Sequence, residues 1–355
     1  MSFRSGFVSI IGRPNVGKST LLNALIGEKV AIVTRKPQTT RNRIRGVLEV
    51  PAKKGKHPAA QIVFVDTPGV HQPSNLLDKR MLQEVYGALS TRDVVLHVVD
   101  ASHRLHLPAQ PAGQVTQTEA VPGAPTAKRK ETARAPSLDN EDAFVLDLVR
   151  KLDCPVFLLL NKIDAIGKDQ LLPLIAQWSA QHAYAEVIPI SARKKDGLEI
   201  LVAKTIQHLP EGQRYFPKDQ FTDQPERFLV AELIREKILQ FTGEEVPYAS
   251  AVVIERFEAP TAPASKKPGA KAPLTRIAAA IHCERSGQKA ILIGKGGAML
   301  KQIGTAARVE IEALLGTHVY LELFVKVAED WRGSRAFLDS LDWRQQLEDL
   351  GDRQK

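Results

Sequence analysis

The chain has 355 residues, 43% of them hydrophobic and 25% charged, with a formal net charge of +9 at pH 7. Such a length supports two ordinary domains, each able to bury its own core, and the basic excess favours polyanions over acidic proteins as partners. Cys154 and Cys283 are the only two cysteines and show no CxxC or Cys/His spacing, so neither a disulfide framework nor a zinc site is expected and a reducing cytoplasm fits. Residues 1–6 lack an apolar signal core and no run of about 18 apolar residues occurs, which leaves peripheral contact as the one expected mode of membrane association.

In chain order, a strand at 7–11 leads to a helix at 18–26, then strands at 61–65 and 94–99. A helix at 141–152, a strand at 156–160, a helix at 170–181, a strand at 186–190 and a helix at 198–207 follow. Apolar runs without period-two alternation suit strands covered on both faces, so the first part reads as an α/β, doubly wound, mostly parallel sheet with ligands at the carboxyl ends of its strands. Residues 105–140 hold five prolines, a Lys128-Arg129-Lys130 cluster and few large apolar side chains, the composition of a disordered insertion. The 51–58 and 259–273 stretches read as extended hairpin loops.

The polar segment 213–226 reads as a linker between a domain at 1–212 and a smaller α+β domain at 227–331, with a charged tail at 332–355 expected to form one more exposed helix. In the second domain the order is helix 227–241, strands 249–257 and 276–283, helix 289–293, a glycine-rich break, helix 298–315 and strand 318–327. Val230, Leu233, Ile234, Ile238 and Phe241 recur at helical spacing, so the first of these helices packs on the sheet.

Four separated motifs carry the chemistry. Gly12-Arg13-Pro14-Asn15-Val16-Gly17-Lys18-Ser19-Thr20 follows a strand and opens a helix, which is the GxxxxGK[ST] phosphate loop in its proper setting: backbone N–H groups wrap the phosphates, Lys18 reaches the β- and γ-phosphates and Ser19 ligates Mg2+. Asp66-Thr67-Pro68-Gly69 ends the next strand, where Asp66 can hold the metal through water and the Gly69 amide can sense the γ-phosphate. Asn161-Lys162-Ile163-Asp164 chooses the base, because the Asp164 carboxylate can accept both N1–H and the 2-amino group of guanine. Ser191-Ala192-Arg193 then presents the Ala192 amide to the guanine oxygen. Between the first two motifs, Lys36-Pro37-Gln38-Thr39-Thr40-Arg41 offers a hydroxyl for the metal, Thr40 first and Thr39 as the fallback. The catalytic set expected from these motifs is Lys18, Asn15, Thr40 and Gly69, with GTP as substrate and GDP as product.

GRPNVGKST, KPQTTR, DTPG, NKID and SAR together resemble the Era and Der branch of translation-factor-related GTPases. In that setting Val70 stands where a glutamine would orient the attacking water, which implies slow intrinsic hydrolysis, on the order of 10⁻⁴ to 10⁻² s⁻¹. Asn15 resembles an asparagine that in related GTPases helps bind K+ in place of an arginine finger.

Ile293-Gly294-Lys295-Gly296-Gly297 between two helices resembles the clamp of a type II KH domain, whose glycines let the helix ends approach an RNA backbone; Lys289, Lys295 and Lys301 add charge. A GTPase domain followed by one such domain is similar to the Era family of bacterial ribosome-assembly GTPases. That resemblance implies binding near the 3′ end of 16S rRNA and assistance to small ribosomal subunit maturation. A monomer without a stable protein partner is expected, and the basic residues add peripheral contact with the inner face of the membrane as a further expectation. The alternatives are a GTP-dependent RNA-modification or processing factor and a GTP-binding tether without significant turnover.

Overall fold

A computed structural model of the chain describes residues 2–103, 140–243, 245–259 and 274–344. The insertion expected at 105–140 lies outside the described residues apart from Asn140, as do almost all of the 259–273 extension and the tail beyond 344.

Six strands, β1 (Arg4–Ile11), β2 (Ile44–Val50), β3 (Ala60–Asp66), β4 (Val94–Asp100), β5 (Val156–Asn161) and β6 (Glu186–Pro189), form one sheet in the order β2-β3-β1-β4-β5-β6. Only β2 runs antiparallel to its neighbour. Helices α1 (Lys18–Ile26) and α5 (Leu198–His208) cover one face, where Leu21, Leu22, Leu201 and Ile206 meet Ile10, Leu96, Val98 and Leu159. On the other face α2 (Leu76–Ser90), α3 (Asn140–Val149) and α4 (Lys168–Ser179) bring Val85, Leu148 and Trp178 against Val95, Val99 and Leu160. Burial on both faces is why β3, β4 and β5 read as continuous apolar runs.

Strand β2 and helix α2 were not anticipated from the sequence. The 51–58 stretch does join a hairpin, closed by a Lys53–His57 bridge. Residues 215–222 lie along this edge of the sheet: Val47 N–H donates to the Phe221 carbonyl at 2.9 Å, and Gln61 bonds the backbone of Tyr215 and Phe216. The open side of β2 is thereby covered.

The second unit comprises α6 (Glu226–Phe241), β7 (Ala251–Glu258), β8 (Leu274–Cys283), α7 (Ser286–Ile293), α8 (Ala298–Leu315), β9 (His318–Val327) and α9 (Arg335–Ser340). Its three-stranded sheet has β8 in the middle, antiparallel to β7 and parallel to β9. Val230, Ile234 and Ile238 of α6 and Ile303, Ala307 and Ile311 of α8 close its core. The two units share apolar contacts. Ile32, in the loop after α1, belongs to the core of the second unit, and Phe228 and Leu229 of α6 belong to the core of the first.

The tail departs from its expectation of a single exposed helix. Leu338 is buried with Leu77 and Met81 of α2 and with Trp331, the residue just before the tail, and Arg80 pairs with Asp339 and Asp342 while Arg344 pairs with Glu84. Charged positions dominate the sequence there, but a few apolar anchors suffice to dock it. No helix among the described residues is long and apolar enough to cross a membrane.

His97 of β4 is fully buried against Trp178, with Nδ1 at 3.0 Å from the Tyr184 hydroxyl, and burial lowers its pKa from 6.5 to about 3. A histidine held neutral in the folded state contributes stability that is present above the unfolded pKa and lost as pH falls toward the folded one. Urea midpoints of the wild type should therefore fall as pH drops below 6.5. His97→Gln should flatten that slope; an unchanged slope would place the acid sensitivity elsewhere.

Candidate functional site

At the carboxyl edge of the six-stranded sheet, β1 runs into the glycine loop and α1 starts at Lys18. Gly17 adopts φ 98°, and a Cβ there would lie 2.4 Å from Asn161 Nδ2. That proximity is needed, since Asn161 Nδ2 donates to the Val16 carbonyl at 2.7 Å while its Oδ1 accepts the Ala192 N–H at 3.0 Å. One amide side chain thus ties together three loops. The Lys18 ammonium, nearly buried, donates to the Gly12 and Arg13 carbonyls at 3.0 Å each. Burial lowers its pKa to about 8 against the opposing pull of Asp66, and an anion placed beside it would raise it again.

Ser19, Thr40 and Asp66 converge. Ser19 Oγ donates to Asp66 Oδ2 at 2.6 Å and lies 2.8 Å from Thr40 Oγ1, which itself sits 3.3 Å from the same carboxylate oxygen. Asp66 is fully buried, and its Oδ1 has no partner among the described residues. Burial pushes its pKa up to about 6, opposed by Lys18 and the two hydroxyls. Two hydroxyls and a desolvated carboxylate make an oxygen-only donor set that fits a hard divalent cation such as Mg2+. The Thr39 hydroxyl turns away, donating to the Lys36 carbonyl at 2.7 Å beside Thr34. Val70 is buried with Ile11 and Val85, and its N–H bonds the Gly12 carbonyl, so its side chain belongs to the core.

At the opposite end, the exposed Asp164 carboxylate accepts a 2.7 Å bond from Ser191 Oγ, which holds its pKa below the usual carboxylate range. Lys162, at φ 67°, spans from the Asn15 carbonyl to Asp100 at 2.8 and 2.6 Å. A cleft of about 590 Å³ joins the two ends. Asn15, Gly17, Lys18, Ser19, Thr20, Thr40, Gly69, Asn161, Lys162, Asp164, Ala192 and Arg193 line it. Gly12, Val16, Asp66 and Ser191 are not among the lining residues but bond to those that are.

The Ala192 amide, expected to face the guanine oxygen, donates to Asn161 Oδ1 in this structure. Two supporting residues escaped the sequence reading. Asn23 holds the start of the following loop by accepting from Val30 and Ala31 N–H, and Asp100 anchors Lys162. Asp100 had a readable signal, a carboxylate at a strand end like Asp66.

In the second unit the backbone between α7 and α8 takes left-handed φ at Gly296 and Gly297. A groove of about 520 Å³ runs from Gly297 along Leu300, Lys301, Gly304 and Arg308 of α8 to Tyr320, Leu321 and Leu323 of β9. Lys295 and Lys301 are exposed, whereas Lys289, on α7, is half-buried and is not among the residues that line the groove.

Residues 7–162 match the family described as 50S ribosome-binding GTPases, and residues 245–332 match the KH domain. GTPase Era of Geobacter metallireducens is 44% identical over 341 residues, 96% of this chain and 98% of that protein. The chain belongs to the Era family of GTPases. Its Geotalea uraniireducens relative is 45% identical over 93% of this chain and 94% of its own length. An Era-family crystal structure from Aquifex aeolicus, a variant bound to GDP·AlF4⁻, superposes with a TM-score of 0.78 at 36% identity, covering 96% of this chain and 99% of that one. A second Era structure, in complex with MgGDPNP and nucleotides 1506–1542 of 16S ribosomal RNA, matches with the same score, identity and coverage. The fold is thus a doubly wound α/β GTPase unit followed by a KH unit, and the chain is a GTPase.

Gly17→Ala forces both a left-handed φ and a clash with Asn161, and should lower stability by about 2 kcal/mol. Chemical denaturation measures the loss, and a change below experimental error would mean that this loop relaxes freely.

Proposed function

We propose that the chain binds Mg·GTP in the 590 Å³ cleft, hydrolyses it slowly to GDP and phosphate, and uses its KH groove to bind the 3′-terminal segment of 16S rRNA during small-subunit assembly. Residues 1–212 form the nucleotide unit in this reading and 227–331 the RNA unit. The convergence of Ser19, Thr40 and Asp66 beside Lys18 is the observation that carries it. Support for the RNA comes from the Era relative crystallised with nucleotides 1506–1542 of 16S ribosomal RNA.

The roles divide by position. The loop from Gly12 to Thr20 cradles the phosphates, with Lys18 exchanging its two carbonyl partners for phosphate oxygens. Ser19 and Thr40 would ligate Mg2+, with Asp66 acting through water, and the cation would neutralise charge between the β- and γ-phosphates. Gly69 senses the γ-phosphate. Asn161, Lys162 and Asp164 hold guanine, Asp164 being kept ionised and aimed by Ser191. Ala192 and Arg193 border the base. Because Val70 is committed to the core, its side chain does not orient the attacking water, and Asn15, which lines the cleft, is assigned to a K+ ion that compensates. In the RNA unit the break from Gly294 to Gly297 approaches the backbone, Lys295 and Lys301 contact phosphate, and Lys289 contributes at longer range.

Two substitutions separate the units. Asp164→Asn should lower GTP affinity by roughly a hundredfold and shift preference toward xanthine nucleotides, measured by competition binding. At Gly296 an added Cβ meets nothing within 4 Å, so Gly296→Asp places a negative charge in open space at the clamp. It should abolish binding of a 16S 3′-end oligonucleotide while leaving GTP turnover intact, read by oligonucleotide anisotropy and phosphate release. Unchanged RNA affinity would refute the clamp, absent multiple-turnover phosphate release would favour the tether reading, and equal rates in K+ and Na+ would remove the K+ assignment.

A further inference from the structure

Helix α6 belongs to the RNA unit, yet three consecutive charged residues on it, Arg235, Glu236 and Lys237, are almost fully buried. Arg235 and Glu236 bond to the loop of the nucleotide unit that carries Thr40, while Lys237 pairs with Glu310 of α8. Arg235 is locked by Glu232 through Nε at 2.7 Å, and its Nη2 donates to the Thr39 carbonyl. Glu236 accepts the Val33 N–H at 2.9 Å. On the far side of Thr40, Arg41 donates to the Ser250 and Tyr248 carbonyls at 2.8 and 3.1 Å. Thr40 is therefore flanked on both sides by residues bonded into the RNA unit, while its own hydroxyl faces Ser19 and Asp66.

We infer that Arg235 is a positioning residue for the nucleotide site, fixing the Thr39–Thr40 peptide so that the Thr40 hydroxyl reaches the metal-binding oxygens. The inference rests on the reading of Thr40 as a metal ligand in the triphosphate state. A carbonyl gripped by a buried guanidinium has a charge-assisted bond with little competition from water, and its loss frees the peptide to rotate. GDP makes no use of a hydroxyl placed for the γ-phosphate, so the effect should discriminate between the nucleotides.

The test compares affinities for GDPNP and GDP in saturating Mg2+ for full-length wild type, Arg235→Ala, Thr40→Ala and the double variant. Arg235→Ala should weaken GDPNP about tenfold and leave GDP affinity within twofold. The double variant should be no worse than Thr40→Ala alone, since both changes act through one hydroxyl. Arg235→Lys should rescue little, because an ammonium cannot grip Glu232 and the carbonyl as a fork. Equal losses for GDP and GDPNP, or additive losses in the double variant, would overturn the inference by marking Arg235 as merely structural. Retained GDP binding shows that a variant is folded; should the Glu232 left unpaired unfold Arg235→Ala, the Glu232→Gln/Arg235→Gln pair replaces it with the same expected split. A wild type that binds neither nucleotide, or a Thr40→Ala variant that keeps full GDPNP affinity, would instead sink the underlying reading of the site.

Discussion

A carboxylate with no exposed surface sits at the end of β3, and the loops around it are arranged to make that charge tolerable. Desolvation raises the Asp66 pKa, and the field of Lys18 and bonds from Ser19 and Thr40 oppose it. These partners come from different parts of the chain, and strand register brings them together. Ile10 pairs with Asp66 across β1 and β3, so the glycine loop begins beside the carboxylate, and Thr67 locks the two strand ends by donating to the Ile10 carbonyl. In the same way Asp100 pairs with Asn161 across β4 and β5, which puts the anchor of Lys162 next to the segment it steadies. A parallel sheet gathers its carboxyl ends on one edge, and the site is what collects there.

Much of this was legible locally. Strand, glycine loop, Lys18 and helix follow one another without a gap, and the motifs at Asp66, Asn161 and Ser191 each end an apolar run. Their order along the chain sufficed to name the family. The glycine-rich break at Gly294–Gly297 was readable because a helical stretch lies on either side of it.

What escaped depends on contacts distant in sequence. The pattern of β2 is that of an edge strand, with Arg45 and Glu49 interrupting its apolar positions, and only pairing with β3 makes it a strand. Helix α2 follows a polar stretch whose capping role, Asn75 accepting from Asp78 N–H, is visible once the helix is known. The bond from the Ala192 amide to Asn161 Oδ1 joins two separate motifs, and their order along the chain does not reveal it. The tail was read from its charge, which hides how few apolar residues are needed to dock it.

Helix α6 is the deepest case. Arg235, Glu236 and Lys237 are successive residues, about 100° apart around the helix, so burying all three requires cover over more than half of its circumference. The sheet and α8 of the second unit supply one side, with Glu310 pairing Lys237, and the Thr40 loop supplies the other. Lys29 bridges Glu236 and Glu310 at 2.6 Å each, tying α8, the helix that leaves the glycine clamp, into the same network. Buried ion pairs add little net stability over apolar packing of the same volume, because desolvation offsets most of their attraction. Their geometry is nevertheless strict: an apolar contact such as Ile32 tolerates sliding by an ångström or two, whereas a shift of that size leaves a buried charge unpaired at a cost of several kcal/mol. Apolar contacts therefore join the two units, and buried charges on α6 bond the backbone of the Thr40 loop at Val33 and Thr39.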